Sequence, residues 1–86
     1  MDRIHLILCA SDGARREKQV SSVTLPAVKG SLGILANHAP MLCALEEGAL
    51  VCRNEAGESE RIRISVGVAS VTNNEVTLLL EHFEAE

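Results

Sequence analysis

The clearest structural signal in the chain is Glu60-Arg61-Ile62-Arg63-Ile64-Ser65-Val66, in which every second residue is apolar. An alternation with a period of two predicts a β-strand with one buried face. Just upstream, Gly48 begins a second apolar stretch that contains Leu50-Val51-Cys52. The run Asn54-Glu55-Ala56-Gly57-Glu58 between the two stretches is rich in turn-forming residues. We therefore expect the two strands to form a β-hairpin.

The residues that follow repeat this arrangement. Gly67-Val68-Ala69-Ser70-Val71 leads into Thr72-Asn73-Asn74-Glu75 and then into Val76-Thr77-Leu78-Leu79-Leu80. Asparagine tolerates a positive φ better than most residues, so the Asn73-Asn74 pair suits both central positions of a tight turn. This pattern predicts a second hairpin.

Strand signals continue towards the N-terminus. Arg3 to Cys9 is an apolar stretch that favours a strand, and Ser11-Asp12-Gly13 is expected to end it. A further strand is expected to begin at Val20 and to stop at Pro26, because proline cannot donate to a β-ladder. We find no amphipathic helix in the chain. Many short strands separated by turns predict an all-β fold, either a sandwich or a barrel.

Four segments are less decisive. The stretch from Gly30 to Pro40 alternates short apolar pieces with breakers, which predicts loops and very short strands. Met41 to Leu45 is compatible with a strand or with a helical turn, since periodicity cannot separate the two in so short a run. Arg15-Arg16-Glu17-Lys18 and the acidic residues from Glu81 to Glu86 are expected to be solvated surface.

Size and composition limit the possible functions. A chain of 86 residues suits one domain, and we expect residues 1–86 to form it. Hydrophobic residues make up 47% of the chain, but Phe83 is the only aromatic one and the net charge is −4. Nucleic-acid binding is disfavoured, because it relies on positive charge and aromatic stacking. No apolar run reaches the roughly 18 residues of a membrane-spanning helix, so direct membrane insertion is not expected.

The residues that carry most enzyme chemistry form no motif. The three cysteines, Cys9, Cys43 and Cys52, contain no Cys-x-x-Cys pair and are expected to be small buried hydrophobic residues. No spacing singles out a nucleophile with its base, and Gly30-Ser31-Leu32-Gly33 lacks the lysine of a phosphate-binding loop. We therefore expect no catalytic residue, no bound metal and no cofactor.

His38 leaves two interpretations open. It lies in Asn37-His38-Ala39-Pro40, where its ring either bonds to nearby backbone or contacts a partner at an exposed end of the sandwich. A competing hypothesis for the whole chain is a free-standing small-molecule or metal-binding β-sandwich that uses His38 with Cys43 or Cys52.

The central segment closely resembles the epsilon subunit of bacterial F-type ATP synthase, called delta in mitochondria. The shared elements are a strand ending in Pro26, the run Gly30-Ser31-Leu32-Gly33-Ile34-Leu35, the triplet His38-Ala39-Pro40, and a leucine followed three residues later by Gly48. Downstream, Ile64 to Val71 followed by Asn73-Asn74-Glu75-Val76-Thr77 is similar to a glycine-containing strand, turn and final strand of that family. The resemblance covers nearly the whole chain.

This resemblance implies a flattened β-sandwich of about ten strands and a non-catalytic role in the rotating central stalk. One face of the sandwich would pack on the gamma subunit, around Ala10 and Cys43. One end would contact the c ring, whose implied contact residues are Gly30, Ser31, Leu32, Asn37, His38 and Met41. The implied location is peripheral, at the cytoplasmic face of the bacterial inner membrane, and the isolated chain is a possible homodimer.

The chain also departs from its family. An aromatic residue and a glycine usually follow the Ser11-Asp12-Gly13 equivalent, where this chain has Ala14 and Arg15. An acidic residue often occupies the position of Ser31, and Glu46-Glu47 replaces a common Lys-Pro. Family members usually continue into two C-terminal helices, and the chain is expected to lack that helical hairpin.

Overall fold

The computed structural model describes residues 3–86, which form ten β-strands and no helix. The strands are β1 (Ile4–Ala10), β2 (Arg15–Val20), β3 (Ser22–Ala27), β4 (Gly30–Leu35), β5 (Met41–Leu45), β6 (Gly48–Arg53), β7 (Ser59–Ile64), β8 (Gly67–Thr72), β9 (Glu75–Leu80) and β10 (Phe83–Ala85). Across this described range, no helix is long and apolar enough to span a membrane.

The strands form one curled sheet that folds into two layers. One layer has the order β4-β3-β6-β7-β10, and the other has the order β5-β8-β9-β1-β2. Strand β3 joins the layers, because its first half pairs with β6 while Ala27 at its end pairs with Leu45 of β5. The strand pairs among residues 3–86 are antiparallel except for β1 with β9, which is parallel. The predicted all-β sandwich is confirmed.

The core consists of aliphatic side chains from the inner faces of both layers. Leu6, Leu25, Leu50, Ile62 and Leu78 expose none of their surface. Each lies in a strand whose alternate residues point outwards, as the period of two requires. Burying a side chain of this size stabilises the fold by about 1.5–3 kcal/mol, so an aliphatic core can hold this small domain together without aromatic residues.

Both predicted hairpins are present. Strands β6 and β7 pair along their whole length, and the Asn54 side-chain oxygen accepts a hydrogen bond from the Glu58 N–H at 3.0 Å. In the β8–β9 turn, Asn73 and Asn74 adopt φ values of 49° and 60°. These are the left-handed conformations that a two-residue hairpin turn needs.

The expectation that Pro26 ends its strand is wrong. Pro26 lies inside β3, opposite Ser31 of β4. No hydrogen bond to β4 is lost, because the backbone of Pro26 faces away from β4 and its carbonyl accepts a hydrogen bond from the Glu46 N–H at 2.8 Å. The ladder with β4 is made by the residues on either side of Pro26.

Four other segments also contain more strand than predicted. Gly30 to Leu35 is one continuous six-residue strand rather than loops and very short strands, because it pairs residue by residue with β3. Residues 15–18 belong to β2, which pairs with β1, and β10 lies within the acidic C-terminal stretch. Met41 to Leu45 is a strand and not a helical turn.

Candidate interaction surfaces

Part of the outer surface of the β5-β8-β9-β1 layer is apolar, next to the outward-facing polar residues Ser70 and Thr77. Leu42, Val68 and Leu79 point outwards with 73%, 44% and 60% of their surface exposed. The pairing register places Val68 between Ala44 and Leu79, and Cys9 follows on β1. We call this group of six outward-facing residues the apolar face; it comprises Leu42, Ala44, Val68, Leu79, Cys9 and the largely buried Ile7.

An antiparallel sheet that faces water on one side normally shows polar residues there. Contiguous apolar side chains on neighbouring strands instead mark an interaction surface. Because these side chains stand on paired strands, they need little ordering when a partner binds. The apolar face is therefore preorganised for contact with another apolar surface.

The opposite outer surface of the sandwich is charged at its β7 end. Arg61 and Arg63 of β7 point outwards there, and the Arg61 Nε donates to Glu86 Oε1 at 2.9 Å. This hydrogen bond from Arg61 is the main reason that the pKa of Glu86 is lowered. The apolar face and the β7 end of the opposite surface thus differ in chemistry: the first is suited to apolar packing and the second to water.

The structure places the two implied gamma-contact residues beside the apolar face but not on it. The Cys43 side chain packs against the core, and burial raises the pKa of its thiol. Ala10 is half-buried at the end of β1, next to the buried Leu80 of β9. The residues adjacent to them in sequence do point outwards, namely Cys9 beside Ala10 and Leu42 and Ala44 on either side of Cys43.

Four of the six implied c-ring contact residues meet at one groove. Gly30, Ser31, Leu32 and Met41 line a cavity of about 500 Å³ between the β3–β4 hairpin and β5. Its walls also include Cys43 and the outer-face residues Leu42 and Ala44, so the groove continues into the apolar face. Among the residues lining it, Lys29 is the one with a charged side chain. We call this cavity the apolar groove.

The other two implied contact residues lie at the far end of β4. Asn37 and His38 line a smaller cavity of about 310 Å³ together with Asn73 and Asn74. The Asn37 N–H donates to Asn74 Oδ1 at 2.5 Å, which ties the two turns together. Because a six-residue strand spans about 17 Å, this cavity and the start of β4 are well separated. The six residues therefore follow one side of the sandwich instead of clustering at one end.

His38 makes the backbone contact that one of its two interpretations expected. Its Nδ1 lies 2.7 Å from the carbonyl oxygen of Ala39, so Nδ1–H donates to that oxygen. The side chain is half-buried, and its other ring nitrogen stays available to a partner. Structural and contact roles are thus compatible in the same histidine.

Charged side chains cluster at the edge of the sandwich between β2 and β7. This cluster was not predicted from the sequence. Arg16 and Lys18 alternate with exposed residues on β2, so both point inwards, contrary to the expectation of solvated surface. Each contacts Glu60 of β7, at 2.7 Å for Arg16 and 2.5 Å for Lys18. The three side chains are about one-third exposed or less. We call Arg16, Lys18 and Glu60 the charged seam.

The residues of the competing metal-binding hypothesis are far from forming a site. Cys52 is buried in the core, and burial raises the pKa of its thiol. Cys43 packs against the core from β5, whereas His38 lies beyond β4 in the smaller cavity. Within residues 3–86, no three His, Cys, Asp or Glu side chains converge as metal ligands would. Of the three cysteines, Cys52 is buried as expected, while Cys9 and Cys43 are half-exposed.

Comparison with known proteins gives a consistent result. The family described as "ATP synthase, Delta/Epsilon chain, beta-sandwich domain" matches residues 3–86. An ATP synthase epsilon chain of Lawsonia intracellularis is 38% identical over 81 residues, which are 94% of this chain and 60% of the relative. One from a Synechococcus species is 44% identical over 75 residues, covering 87% and 54% of the two chains.

Solved structures show the same fold. A chain in the structure of the Euglena gracilis mitochondrial ATP synthase, described as OSCP/F1/c-ring, superposes with a TM-score of 0.88 at 24% identity. That match covers 99% of this chain and 54% of the other. The chain thus spans about half to three-fifths of the length of these relatives.

Proposed function

The chain belongs to the ATP synthase delta/epsilon-chain family, and from that premise we propose that it is a non-catalytic central-stalk subunit of an F-type ATP synthase. It links the gamma subunit to the c ring and so couples proton or sodium transport to ATP synthesis. It acts as one β-sandwich domain over residues 1–86 and uses no cofactor. The observation that carries the proposal is the apolar face, a surface suited to packing rather than to chemistry.

The gamma subunit covers the apolar face in this proposal. A stalk component must transmit torque without slipping, and broad packing against a rigid sheet meets that need better than a few flexible side chains. Leu42, Val68 and Leu79 are its exposed centre. The stretches around Ala10 and Cys43 contribute through their outward-facing neighbours and hold the face in place from beneath.

The c ring contacts the side of the sandwich that follows β4. Gly30, Ser31, Leu32 and Met41 contribute through the apolar groove, and Asn37 and His38 contribute through the smaller cavity beyond it. The groove lies at the start of β4 and the smaller cavity lies beyond its end, so a partner as wide as a ring of subunits can reach them together. The subunit is therefore peripheral to the membrane, at the cytoplasmic face of a bacterial inner membrane.

A second copy of the chain substitutes for gamma when the protein is isolated. Exposed leucine and valine side chains on one face are costly in water, and pairing two such faces removes them from it. We accordingly propose a homodimer of the isolated chain that buries the apolar face and dissociates when gamma is supplied.

The test is association with the gamma subunit of the same host. We expect the full chain to co-purify with gamma, and Leu79→Lys to weaken that association at least about tenfold, because a charge would be buried among apolar groups. The fold should persist, since Leu79 is 60% exposed. Binding is measured by titration calorimetry, and folding by far-UV circular dichroism.

Val66→Lys is the matched control. Val66 is 52% exposed but lies in the β7–β8 turn, outside the apolar face. The Val66→Lys variant introduces the same charge as Leu79→Lys, and we expect it to bind gamma about as tightly as the parent chain does. A parent chain that never associates with gamma would contradict the proposal. Equal losses of gamma affinity in both variants would show that the apolar face is not the gamma-binding surface.

A further inference from the structure

Strand β4 has an unpaired backbone edge. Within residues 3–86 it pairs with β3 alone, and Pro26 of β3 directs its carbonyl away from β4 towards Glu46. In an antiparallel pair, two opposed residues either both direct their N–H and C=O groups towards each other or both direct them away. Because the backbone groups of Pro26 point away from β4, those of the opposed Ser31 point away from β3. The same alternation applies to Gly33 and Leu35. The N–H and C=O groups of these three exposed residues therefore point outwards from the sheet.

This edge lacks the features that normally protect one. Edge strands are blunted by charges, by proline or by being very short. Strand β2 carries Arg15, Arg16, Glu17 and Lys18, and β10 has three residues that include Glu84. In contrast, the six residues of β4 are Gly-Ser-Leu-Gly-Ile-Leu, with no charge and no proline. Within residues 3–86, β4 is thus an unprotected edge along its whole length; the other uncharged edge, β5, is partly covered because Leu45 pairs with Ala27 of β3.

Gly33 supports the same interpretation. Its φ does not lie in the left-handed region, and a Cβ added to it would meet nothing within 4 Å. Internal packing therefore does not require a glycine here. A glycine inside a strand often marks a place where another backbone approaches closely. The apolar groove, lined by Leu32 and Met41, adjoins the strand and offers room for side chains of an approaching segment.

We propose that β4 binds a c-ring loop by strand addition, in which an extended, uncharged segment of the loop pairs with the backbone of Ser31, Gly33 and Leu35. The inference rests on the proposed function and specifies how its c-ring contact is made. The c-ring loop is the segment that fits this edge, because the edge is continuous with the apolar groove. That groove is lined by four residues of the proposed c-ring contact: Gly30, Ser31, Leu32 and Met41. The contact surface has Lys29 as its one charged residue, so backbone hydrogen bonds, rather than ion pairs, provide the directional part of the contact.

Backbone exchange in the complex tests the proposal directly. The full chain is mixed with the detergent-solubilised c ring carrying the gamma subunit of the same host, and amide hydrogen exchange is followed residue by residue. We expect the amides of Ser31, Gly33 and Leu35 to gain protection in the complex. Those of Leu32 and Ile34 already face β3 and should change little. Association should weaken little with added salt, unlike an ion-pair contact.

Two variants test the edge independently. Gly33→Pro removes an N–H that points away from β3, and Ser31→Lys places a protective charge on the edge. Each should weaken binding to the c ring about tenfold or more while binding to isolated gamma is unchanged. Thr72→Lys adds the same charge to β8, which is paired on both sides, and should have no effect.

The outcomes separate this inference from the function it rests on. Assembly with the rotor but unchanged exchange at residues 31, 33 and 35, or full binding by both edge variants, overturns strand addition alone. Failure of the parent chain to bind either gamma or the c ring overturns both. Strong weakening by salt together with unprotected edge amides would replace strand addition with an ion-pair contact through Lys29.

Discussion

Replacing Gly67 with alanine is expected to destabilise the domain more than any other single methyl addition at its glycines. A Cβ built at Gly67 would lie 2.3 Å from the Leu79 carbonyl oxygen and 2.8 Å from Leu80 Cδ2. The oxygen belongs to the backbone of β9, which pairs with β8 along its length, so it cannot move without breaking the ladder. Overpacking of this kind costs about 3 kcal/mol or more, a large part of the 5–15 kcal/mol typical of a whole domain.

The measurement is urea denaturation of the parent and Gly67→Ala chains, followed by circular dichroism. Gly33→Ala is the matched control, because a Cβ there meets nothing within 4 Å and φ is not in the left-handed region. The control should be neutral or slightly stabilising, since alanine reduces the freedom of the unfolded chain. Equal midpoints for the two variants would show that β8 and β9 can separate at Gly67 at little cost.

Much of the β-sheet could be predicted from local patterns. The alternation around Ile62 and Ile64, and the Asn73-Asn74 turn, correctly indicate two hairpins because strand period and turn chemistry are local properties. Strand β2 escaped prediction because its apolar signal is replaced by Arg16 and Lys18, whose inward position depends on Glu60, 42 residues beyond Lys18. Such a partner becomes visible only once the layers are folded together.

The candidate surfaces show the same limit. Sequence motifs indicated the segment from Gly30 to Met41, but loops and very short strands were expected where the structure has the continuous strand β4 and its open edge. The apolar face could not be predicted as a unit, since Leu42, Val68 and Leu79 come from three strands. Each looks like an ordinary strand residue alone. Their common outward direction follows from the register of pairing, which local sequence does not determine for strands apolar on both faces.

The charged seam is expected to stabilise the fold, and Glu60→Gln should reveal it. Glu60 accepts hydrogen bonds from Arg16 at 2.7 Å and from Lys18 at 2.5 Å, with about a quarter of its side chain exposed. Neutralising it leaves two inward-pointing cations without their counter-charge. At pH 7 we expect a loss of about 1–3 kcal/mol in the free energy of unfolding, since Arg16 and Lys18 would remain partly desolvated without a carboxylate partner.

The loss should depend on pH with a definite sign. Hydrogen bonds from Arg16, and then from Lys18, lower the pKa of Glu60 in the folded state. Its contribution to stability is therefore fully present above the unfolded value of about 4.3, and disappears as the pH falls through the lower folded value. The difference between the parent and Glu60→Gln chains in urea midpoint should be large at pH 7 and small near pH 3.

Glu17→Gln supplies the control for this measurement. Glu17 also has a lowered pKa, caused first by Arg15 and then by His5, but its side chain is 43% exposed on the outside of β2. Solvent screens an exposed pair, so its removal should shift the midpoint little at either pH. If Glu17→Gln and Glu60→Gln shifted the urea midpoint equally, the inward orientation of the charged seam would contribute nothing to stability. A larger midpoint shift for Glu60→Gln would instead show that the charged seam stabilises the edge between β2 and β7, which the aliphatic side chains of the core do not cover.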